Sequence, residues 1–301
     1  MQKLIECVPN FSEGRRPEVV AAIVEAIEAV NGAKILDYSA DADHNRSVVT
    51  FVATPETVGQ AAFAGIKMAA QQIDMTRHDG QHPRIGATDV CPFVPLRGVT
   101  LNDCAAIARS VGRQVGDELG IPVYLYEAAA TRPERRNLAD VRRGQYEGLR
   151  QAIKIDPARA PDFGPAELGS AGATAIGARD FLIAFNVYLA TDQVKIAKDI
   201  ARTIRYSNGG LRYVKAMGVL VKGKAQVSLN LTDFRRTPIH RALELIRREA
   251  ARYGVAVESS ELIGLAPQQA LLDAAAWYLQ LGKFDAGRVL ESRLAEVFRE
   301  K

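Results

Sequence analysis

The chain has few cysteines and no long apolar run, and these two features exclude several classes of protein. Only Cys7, Cys91 and Cys104 occur among 301 residues, at wide spacings that favour reduced, buried thiols over a disulfide framework or a zinc knuckle. No run of eighteen apolar residues exists, and the N-terminus enters a strand-like segment without a charged and apolar leader. We therefore expect a cytoplasmic protein that does not bind membranes.

The chain also lacks a strong excess of charge of either sign. Its formal net charge of +4 is spread along the sequence and does not by itself require a nucleic acid or a membrane as a partner. The nearest basic cluster, Arg132 to Arg143, is interrupted by acidic residues. It predicts either a solvated surface segment or a local positive field that attracts an anionic substrate.

The apolar residues that are present suffice for two domains. They make up 48% of a chain with 25% charged residues, which is typical of soluble globular proteins, and 301 residues exceed what one core usually organises. Strand and helix periodicity predicts the order βαββαβ in strand 3–8, helix 17–31, strands 33–39 and 47–53, helix 55–73 and strand 89–96. A helix at 100–120 and a strand at 121–128 extend this unit.

The second half of the chain repeats this order in strand 180–190, helix 191–206, strands 218–223 and 224–234, helix 238–254 and strand 255–264. The predicted fold class is therefore α/β of the α+β kind: two ferredoxin-like βαββαβ subdomains with a ligand cleft between them. We expect an N-terminal subdomain at 1–178, including a linker rich in Pro, Gly and Ala at 155–178, and a C-terminal subdomain at 179–301.

Residues 77–89, RHDGQHPRIGATD, hold two of the four histidines of the chain. The spacing of His78 and His82 would suit two metal ligands on a helix, but Gly80 and Pro83 disfavour a helix there. The other functional interpretation is a single loop histidine that acts as general acid and base, with an ordinary pKa of about 6.5. A loop that is merely rigid and hydrogen-bonded is the structural alternative.

Two more polar loops are expected at strand ends. VPNFSEGRRP (8–17) precedes a helix, where backbone N–H groups can bind an anion, although simple capping by Ser12 explains the pattern equally well. SADADHNRSV (39–48) places a histidine and an arginine between two paired strands, and a hairpin loop alone does not account for them. In a ferredoxin-like fold both loops would lie near the sheet end that receives His82.

Seven segments carry a resemblance to a known family: ECVPNFSEGR (6–15), DHNRSVVTFV (43–52), HDGQHPRIGATDVCPFVP (78–95), PVYLYEAA (122–129), PDFGP (161–165), GATAIGARDFLIAFNV (172–187) and LLDAAAWY (271–278). They are similar to glutamate formimidoyltransferase, the transferase part of formimidoyltransferase-cyclodeaminase. The resemblance implies two α/β subdomains, a homodimer, and transfer of a formimino group from N-formimino-L-glutamate to N5 of tetrahydrofolate in histidine degradation. Tetrahydrofolate would be a co-substrate, and no metal would be required.

The resemblance also implies site residues. In that family the histidine of the HPR motif is the catalytic acid and base, which is His82 here, and folate binds along a segment that runs here from Gly164 to Gly172. We expect further contacts with the substrates at Asn10, Asn45, Arg46, Arg84, Pro165, Gly169, Arg179 and Asn186. The arginines are candidates because both substrates are anionic.

Three alternative functions are open. A formyl-group transferase that uses 5-formyltetrahydrofolate or formylglutamate would need the same residues, because an amide oxygen and an amidine nitrogen differ by one atom. A non-catalytic folate-binding protein would use the same cleft without turnover. RNA-recognition domains share the βαββαβ order, but neither SVVTFVA (47–53) nor KAQVSLNLT (224–232) supplies their aromatic run, so we expect no nucleic-acid partner.

Overall fold

The computed structural model describes residues 2–80 and 82–298, and the chain separates into two units, Met1–Asp180 and Phe181–Lys301. The first unit contains β1 (Leu4–Cys7), β2 (Asn10–Phe11), α1 (Pro17–Glu28), β3 (Lys34–Asp41), β4 (Arg46–Ala53), α2 (Val58–Gln72), β5 (Thr88–Arg97), α3 (Leu101–Leu119), β6 (Val123–Glu127), α4 (Leu138–Val141), α5 (Gln145–Ala152) and β7 (Thr174–Ala178).

Four strands of the first sheet form the ferredoxin-like arrangement. The strand β1 pairs with β5 on one side and β4 on the other, and β3 pairs with β4 from outside, all antiparallel. The strands therefore stand in the order β5, β1, β4, β3, and β2 continues from β1 between β4 and β5. The predicted βαββαβ order of the first unit is confirmed.

Apolar side chains at helical spacing attach α1, α2 and α3 to one face of this sheet. On α1, the residues Val19, Ile23 and Ile27 are buried in the core cluster. Each large aliphatic side chain that is fully buried contributes about 1.5–3 kcal/mol, which exceeds the differences in intrinsic helix preference among residues other than proline. The helix α3 begins at a capping box between Thr100 and Asp103, so its start is encoded locally.

The segment 155–178 was expected to be a linker, but its last five residues belong to the first sheet. Its last residues form β7, which lies between β5 and β6 and is parallel to both. All five residues of β7 are buried, and four of them are alanine, glycine or threonine. For residues 174–178 the linker prediction was wrong, because small residues inside a sheet show neither the alternation nor the bulky β-branched residues by which strands are recognised in sequence.

The second unit contains β8 (Ile183–Leu189), α6 (Val194–Ile204), β9 (Val214–Val221), β10 (Lys224–Leu231), α7 (Ile239–Ala251), β11 (Val257–Ile263), α8 (Gln268–Tyr278) and α9 (Leu290–Val297). Its four strands stand in the antiparallel order β11, β8, β10, β9, which is again the ferredoxin-like order. Ile200 on α6 and Ile246 on α7 are fully buried with the strand residues Val187 and Val227. The second predicted βαββαβ unit is confirmed.

The three cysteines are buried and free, as their spacing predicted. Cys7 and Cys91 lie on neighbouring strands with their sulfur atoms 3.5 Å apart, and burial raises the pKa of Cys7 well above its ordinary value. The Cys7 thiol therefore stays protonated and unreactive. Within the described part of the chain, none of the helices combines the length and apolarity needed to cross a membrane.

The position of β7 inside the sheet can be tested with two glycine variants. A Cβ atom at Gly177 would lie 2.5 Å from the backbone oxygen and the ring of Tyr126, whereas at Gly169 it would meet nothing within 4 Å. We expect Gly177→Ala to destabilise the protein by about 1–3 kcal/mol through overpacking, and Gly169→Ala to change stability by less than about 0.5 kcal/mol. Urea unfolding followed by circular dichroism measures both, and equal midpoints would contradict the packing of β7.

Candidate active site

Three polar loops of the first unit are joined by hydrogen bonds through Asn45. Its side-chain oxygen accepts a hydrogen bond from the backbone N–H of Gly14 at 3.0 Å, and its side-chain nitrogen donates to the carbonyl of Asp79 at 2.8 Å. Asn45 has a left-handed backbone with φ of 46°, a conformation that asparagine tolerates better than most residues. The loops around residues 8–17, 39–48 and 77–89 therefore converge, and Asn45 organises them with an amide that is already used on both sides.

Arg46 lies at the centre of the converged loops. One terminal nitrogen of its guanidinium, Nη1, donates to Asp89 Oδ2 at 2.8 Å and lies 2.9 Å from His82 Nδ1. The other, Nη2, donates to Asn10 Oδ1 at 2.7 Å. Asn10 is fixed in turn by donating to the carbonyl of Val8 at 2.7 Å. Arg46 was expected to contact a substrate carboxylate, but both of its terminal nitrogens make contacts inside the protein.

Asp89 is the anion that this cluster is built around. Its side chain is fully buried, and it accepts hydrogen bonds from Arg46, from Arg142 and from the backbone N–H of Ile85 at 3.1 Å. Burial alone would raise the pKa of Asp89, but Arg142 and Arg46 more than offset burial and lower that pKa to about 2. Asp89 is therefore ionised throughout the physiological range.

His82 stays neutral in this environment. Burial lowers its pKa first, Arg46 and Arg142 lower it further, and the opposing charge of Asp89 does not compensate, so that the pKa of His82 is about 2. The sequence predicted an ordinary pKa near 6.5 because the two arginines come close to His82 only through the fold. Among the described residues Nε2 of His82 has no hydrogen-bond partner, since the ring contacts Arg46 and Pro83 through Nδ1.

His78 has a different environment, because both of its ring nitrogens are occupied. Nδ1 accepts a hydrogen bond from Arg84 Nε at 3.2 Å, and Nε2 lies 3.2 Å from the carbonyl oxygen of Asn45, to which it donates. This residue therefore holds its loop in place and has no free nitrogen for a metal. Among the residues that the structure describes, no group of three or more His, Cys, Asp or Glu side chains is arranged to hold a metal ion.

Arg84 meets a carboxylate within its own chain. Its two terminal nitrogens donate to the two oxygens of Glu147 at 2.9 and 2.7 Å, in a bidentate pair. The Arg84 side chain is 8% exposed, whereas that of Glu147 is 63% exposed. Arg84 is thus fixed in place, and Glu147 lies between it and the solvent.

The glycine-rich segment reaches the His82 loop at one end. The backbone N–H of Ala173 donates to Ile85 O at 2.9 Å, and Ala87 N–H donates to Ala171 O at 2.8 Å, so Gly172 lies directly beside Gly86. Gly172 has φ of +69°, and a Cβ atom there would lie 2.5 Å from Ile85 O. The glycine is required by this close approach of two backbones.

The other end of the segment lies against α3 and β6. Gly164 has φ of +79°, and a Cβ atom there would lie 2.4 Å from Ile121 O. Between the two ends, Pro165 and Gly169 are exposed, and Gly169 has open space around it. The segment is therefore anchored by Gly164 and Gly172 and accessible between them.

Two further predicted residues lie outside the contacts of Arg46. The backbone N–H of Arg179 donates to Phe93 O at 3.1 Å, and its side chain donates to Asp180 O at 3.1 Å. Asn186 belongs to the second unit, on β8, where it stands opposite Ser228 on β10 and Glu261 on β11. The structure leaves the roles of Arg179 and Asn186 as predictions.

The loop that leads into α1 is closed by one of its own side chains. Glu13 Oε1 accepts hydrogen bonds from the backbone N–H groups of Arg15 and Arg16 at 2.9 and 3.0 Å. Ser12 does not cap the helix, because its hydroxyl donates to Gly86 O at 2.8 Å. Glu13 thus binds the two backbone N–H groups just before α1, and no side chain caps the helix itself.

Sequence reasoning missed Asp89 and Arg142. Asp89 ends the RHDGQHPRIGATD stretch, and its position at the start of a buried strand was a signal that this carboxylate is paired. Arg142 belongs to the segment Arg132 to Arg143, which was predicted to be either a solvated surface or a field for an anionic substrate. The structure shows that parts of it are internal: Arg135 is 4% exposed and paired with Asp162, and Arg142 is paired with Asp89.

Comparison with known proteins gives consistent results for both units. Residues 4–179 match the family described as formiminotransferase domain, N-terminal subdomain, and residues 184–292 match the family described as formiminotransferase domain. The chain is 54% identical over 295 residues to a glutamate formimidoyltransferase of Thermoplasma acidophilum, with 97% of each chain covered. It is 49% identical over 298 residues to one of Streptococcus pyogenes serotype M1, covering 98% of this chain and 99% of that one.

A longer relative is similar over part of its length. The formimidoyltransferase-cyclodeaminase of Rattus norvegicus is 45% identical over 287 residues, which cover 92% of this chain and 53% of the relative. The chain thus spans about half the length of this bifunctional relative.

The protonation states of the site predict how stability depends on pH. Both His82 and Asp89 have a lower pKa in the folded protein than their ordinary values of 6.5 and 3.8, so the unfolded chain binds more protons. Their contributions to stability are therefore complete above the unfolded pKa values and are lost as the pH falls, first for His82 below about pH 6.5 and then for Asp89 below about pH 4.

We expect His82→Gln to flatten the pH dependence of the free energy of unfolding by up to about 1.4 kcal/mol per pH unit between about pH 6 and 4.5. Urea unfolding of both proteins across this range measures the slope. Parallel slopes would show that His82 titrates alike in the folded and unfolded chain.

Proposed function

Because the chain belongs to the formiminotransferase family, we propose that it is a glutamate formimidoyltransferase, which moves the formimino group of N-formimino-L-glutamate to N5 of tetrahydrofolate. The observation that carries the proposal is the cluster of Asp89, Arg46 and His82. In this cluster a neutral imidazole has its Nδ1 held by the protein and its Nε2 without a partner among the described residues. The name and identity of the two full-length relatives support the choice of substrates.

The reaction requires two proton transfers that one imidazole can perform. N5 of tetrahydrofolate attacks the formimino carbon and a tetrahedral intermediate forms. Over the whole reaction N5 loses one proton, and the glutamate nitrogen gains one proton as it leaves. We propose that Nε2 of His82 passes protons at this centre, a role that contributes roughly 10²–10⁴-fold to such reactions. Holding both substrates in place would add to the rate by orientation.

We propose that tetrahydrofolate, the co-substrate, lies along the segment from Gly164 to Gly172. Three features support this placement. The middle of the segment, with Pro165 and Gly169, is exposed, its end at Gly172 is bonded to the His82 loop, and glycine allows close approach of a flat ligand to the backbone. The pteridine end of the folate would therefore sit towards Gly172, near His82.

The ion pairs of Arg46 and Arg84 indicate which of these arginines can bind a substrate carboxylate. The partner of Arg46, Asp89, is fully buried, whereas the partner of Arg84, Glu147, is 63% exposed. Because the Glu147 carboxylate is exposed, it can turn into the solvent when a substrate carboxylate takes its place at Arg84, whereas Asp89 cannot leave its buried position. We therefore assign carboxylate binding to Arg84 and an internal role to Arg46, and we keep Asn10 and Asn45 as residues that position the loops.

The donor can be identified directly. Purified protein and tetrahydrofolate are incubated with formiminoglutamate or with formylglutamate, and with 5-formyltetrahydrofolate plus glutamate for the reverse formyl transfer. We expect turnover with formiminoglutamate only. Turnover with a formyl donor alone would assign the protein to the formyl-transferase alternative, and folate binding without any turnover would support a carrier.

Location and assembly are part of the proposal. Three free, buried thiols suit the reducing cytoplasm, where we place the reaction. We also propose a homodimer, which light scattering of the purified protein tests by its mass.

His82→Gln should reduce turnover by roughly 10²–10⁴ while the protein stays folded, because the side chain takes part in the proton transfers and contributes little to the hydrophobic core. His240→Gln is a matched control: His240 lies on α7 of the second unit, stacked on Trp277 with ring centroids 5.0 Å apart, and its loss should leave turnover within a few-fold. Steady-state kinetics with formiminoglutamate measure both. Near wild-type turnover in His82→Gln would remove His82 from the mechanism.

The folate placement is tested at Gly169, since substitution of Gly164 would disturb the fold itself. We expect Gly169→Val to weaken tetrahydrofolate binding by about tenfold or more, because the added side chain obstructs close approach of the ligand. Gly282→Val, at another glycine with nothing within 4 Å, is the control. Equal affinity of the two folded variants in a binding titration would show that folate does not lie along this segment.

A further inference from the structure

His82 is held by two neighbours that make opposite demands on one nitrogen. Arg46 Nη1 lies 2.9 Å from Nδ1, and the carbonyl oxygen of Pro83 lies 2.7 Å from it. A guanidinium can only donate, so it requires Nδ1 without a proton, whereas a carbonyl can only accept, so it requires Nδ1–H. Each neutral tautomer satisfies one neighbour, and the choice decides whether Nε2 carries the proton.

Of the two hydrogen bonds, the one from the charged Arg46 is the stronger. A hydrogen bond from a charged donor is roughly twice as strong as one between neutral groups. Arg46 is also prevented from turning away, because Asp89 and Asn10 hold its two terminal nitrogens at 2.8 and 2.7 Å. Losing these contacts would leave the fully buried Asp89 with one cation fewer.

We infer that Arg46 is a positioning residue that holds His82 in the neutral tautomer with its proton on Nε2, so that His82 meets the substrates as a proton donor. This inference rests on the proposed transfer reaction. The arrangement is the reverse of a carboxylate–histidine pair, in which an acceptor at Nδ1 keeps the proton there and makes Nε2 a base.

The tautomer sets the order of the proton movements. When the tetrahedral intermediate collapses, the bond between the formimino carbon and the glutamate nitrogen breaks, its electron pair stays on that nitrogen, and Nε2–H supplies the proton. Nε2 then takes the proton that N5 of tetrahydrofolate loses, which restores the starting tautomer. In total one proton passes from N5 to the glutamate nitrogen.

The surrounding charges favour this order. Between the two transfers the ring is short of one proton, and the guanidiniums of Arg46 and Arg142 stabilise such an electron-rich ring. The opposite order would form an imidazolium beside the same two cations, which repel it. A neutral imidazole with a strongly depressed pKa can serve as a donor in this way.

Nitrogen-15 NMR of the full chain, labelled at histidine, reads the tautomer without any measurement of activity. Protonated and bare ring nitrogens differ strongly in chemical shift, and the loss of signals in His82→Gln assigns those of His82. At neutral pH we expect a protonated Nε2 and a bare Nδ1. A proton on Nδ1 would overturn the inference and leave the proposed transferase activity untouched, since that activity is judged by turnover.

Two variants test whether Arg46 is the cause. Arg46→Leu removes the donor, so the proton should move to Nδ1, towards Pro83, and kcat should lose much of the roughly 10²–10⁴-fold contribution of a general acid. Arg46→Lys keeps a cationic donor and should retain the tautomer and recover part of kcat. KM should change little in either variant, because both terminal nitrogens of Arg46 are bonded inside the protein.

The opposite kinetic pattern would contradict this role. A raised KM with unchanged kcat in Arg46→Leu would mean that Arg46 binds a substrate carboxylate. If Arg46→Leu does not fold, the wild-type spectrum and Arg46→Lys still decide: a proton on Nδ1 in either one overturns the inference.

Discussion

The ion pairs of Asp89 with Arg46 and Arg142 are the interaction on which the site depends. Asp89 has no contact with water, so its charge is tolerable only because two guanidiniums and a backbone N–H surround it. Arg46 comes from the start of β4 and Arg142 from the end of α4, so the carboxylate joins elements that are far apart in sequence. Burial, together with the same two cations, keeps His82 neutral, which links the stability of the unit to its proposed chemistry.

Much of the fold could be predicted from the sequence, because apolar residues recur with the period of a helix or of a strand. Val19, Ile23 and Ile27 recur at helical spacing and are buried on α1, and Ile183, Phe185 and Val187 alternate on β8 as a half-buried strand does. The strand β7 was hidden, because TAIGA has small residues on both sides and its burial comes entirely from its neighbours in the sheet.

The sequence indicated which residue types form the site, but not how they are arranged in space. The polar loops around Asn10, Asn45 and His82 stood out by their residue types, and the structure joins them. The pKa of His82 was misjudged, because it depends on burial and on Arg46 and Arg142, which lie 36 and 60 positions away in sequence. Likewise nothing in the local sequence indicated that Gly164 and Gly172 have positive φ and are needed where two backbone segments approach closely. Nor did it indicate that Gly169, between them, has no atom within 4 Å of the position of a Cβ.

The central claim is that His82 transfers protons as a buried neutral imidazole, and the pH dependence of kcat/KM tests it most directly. This profile reports the ionisations of the free enzyme. We predict that, between about pH 5.5 and 8, no limb assignable to His82 appears, because its pKa lies near 2. An acid limb with an apparent pKa of about 6.5, the value of an unperturbed histidine, would contradict the account.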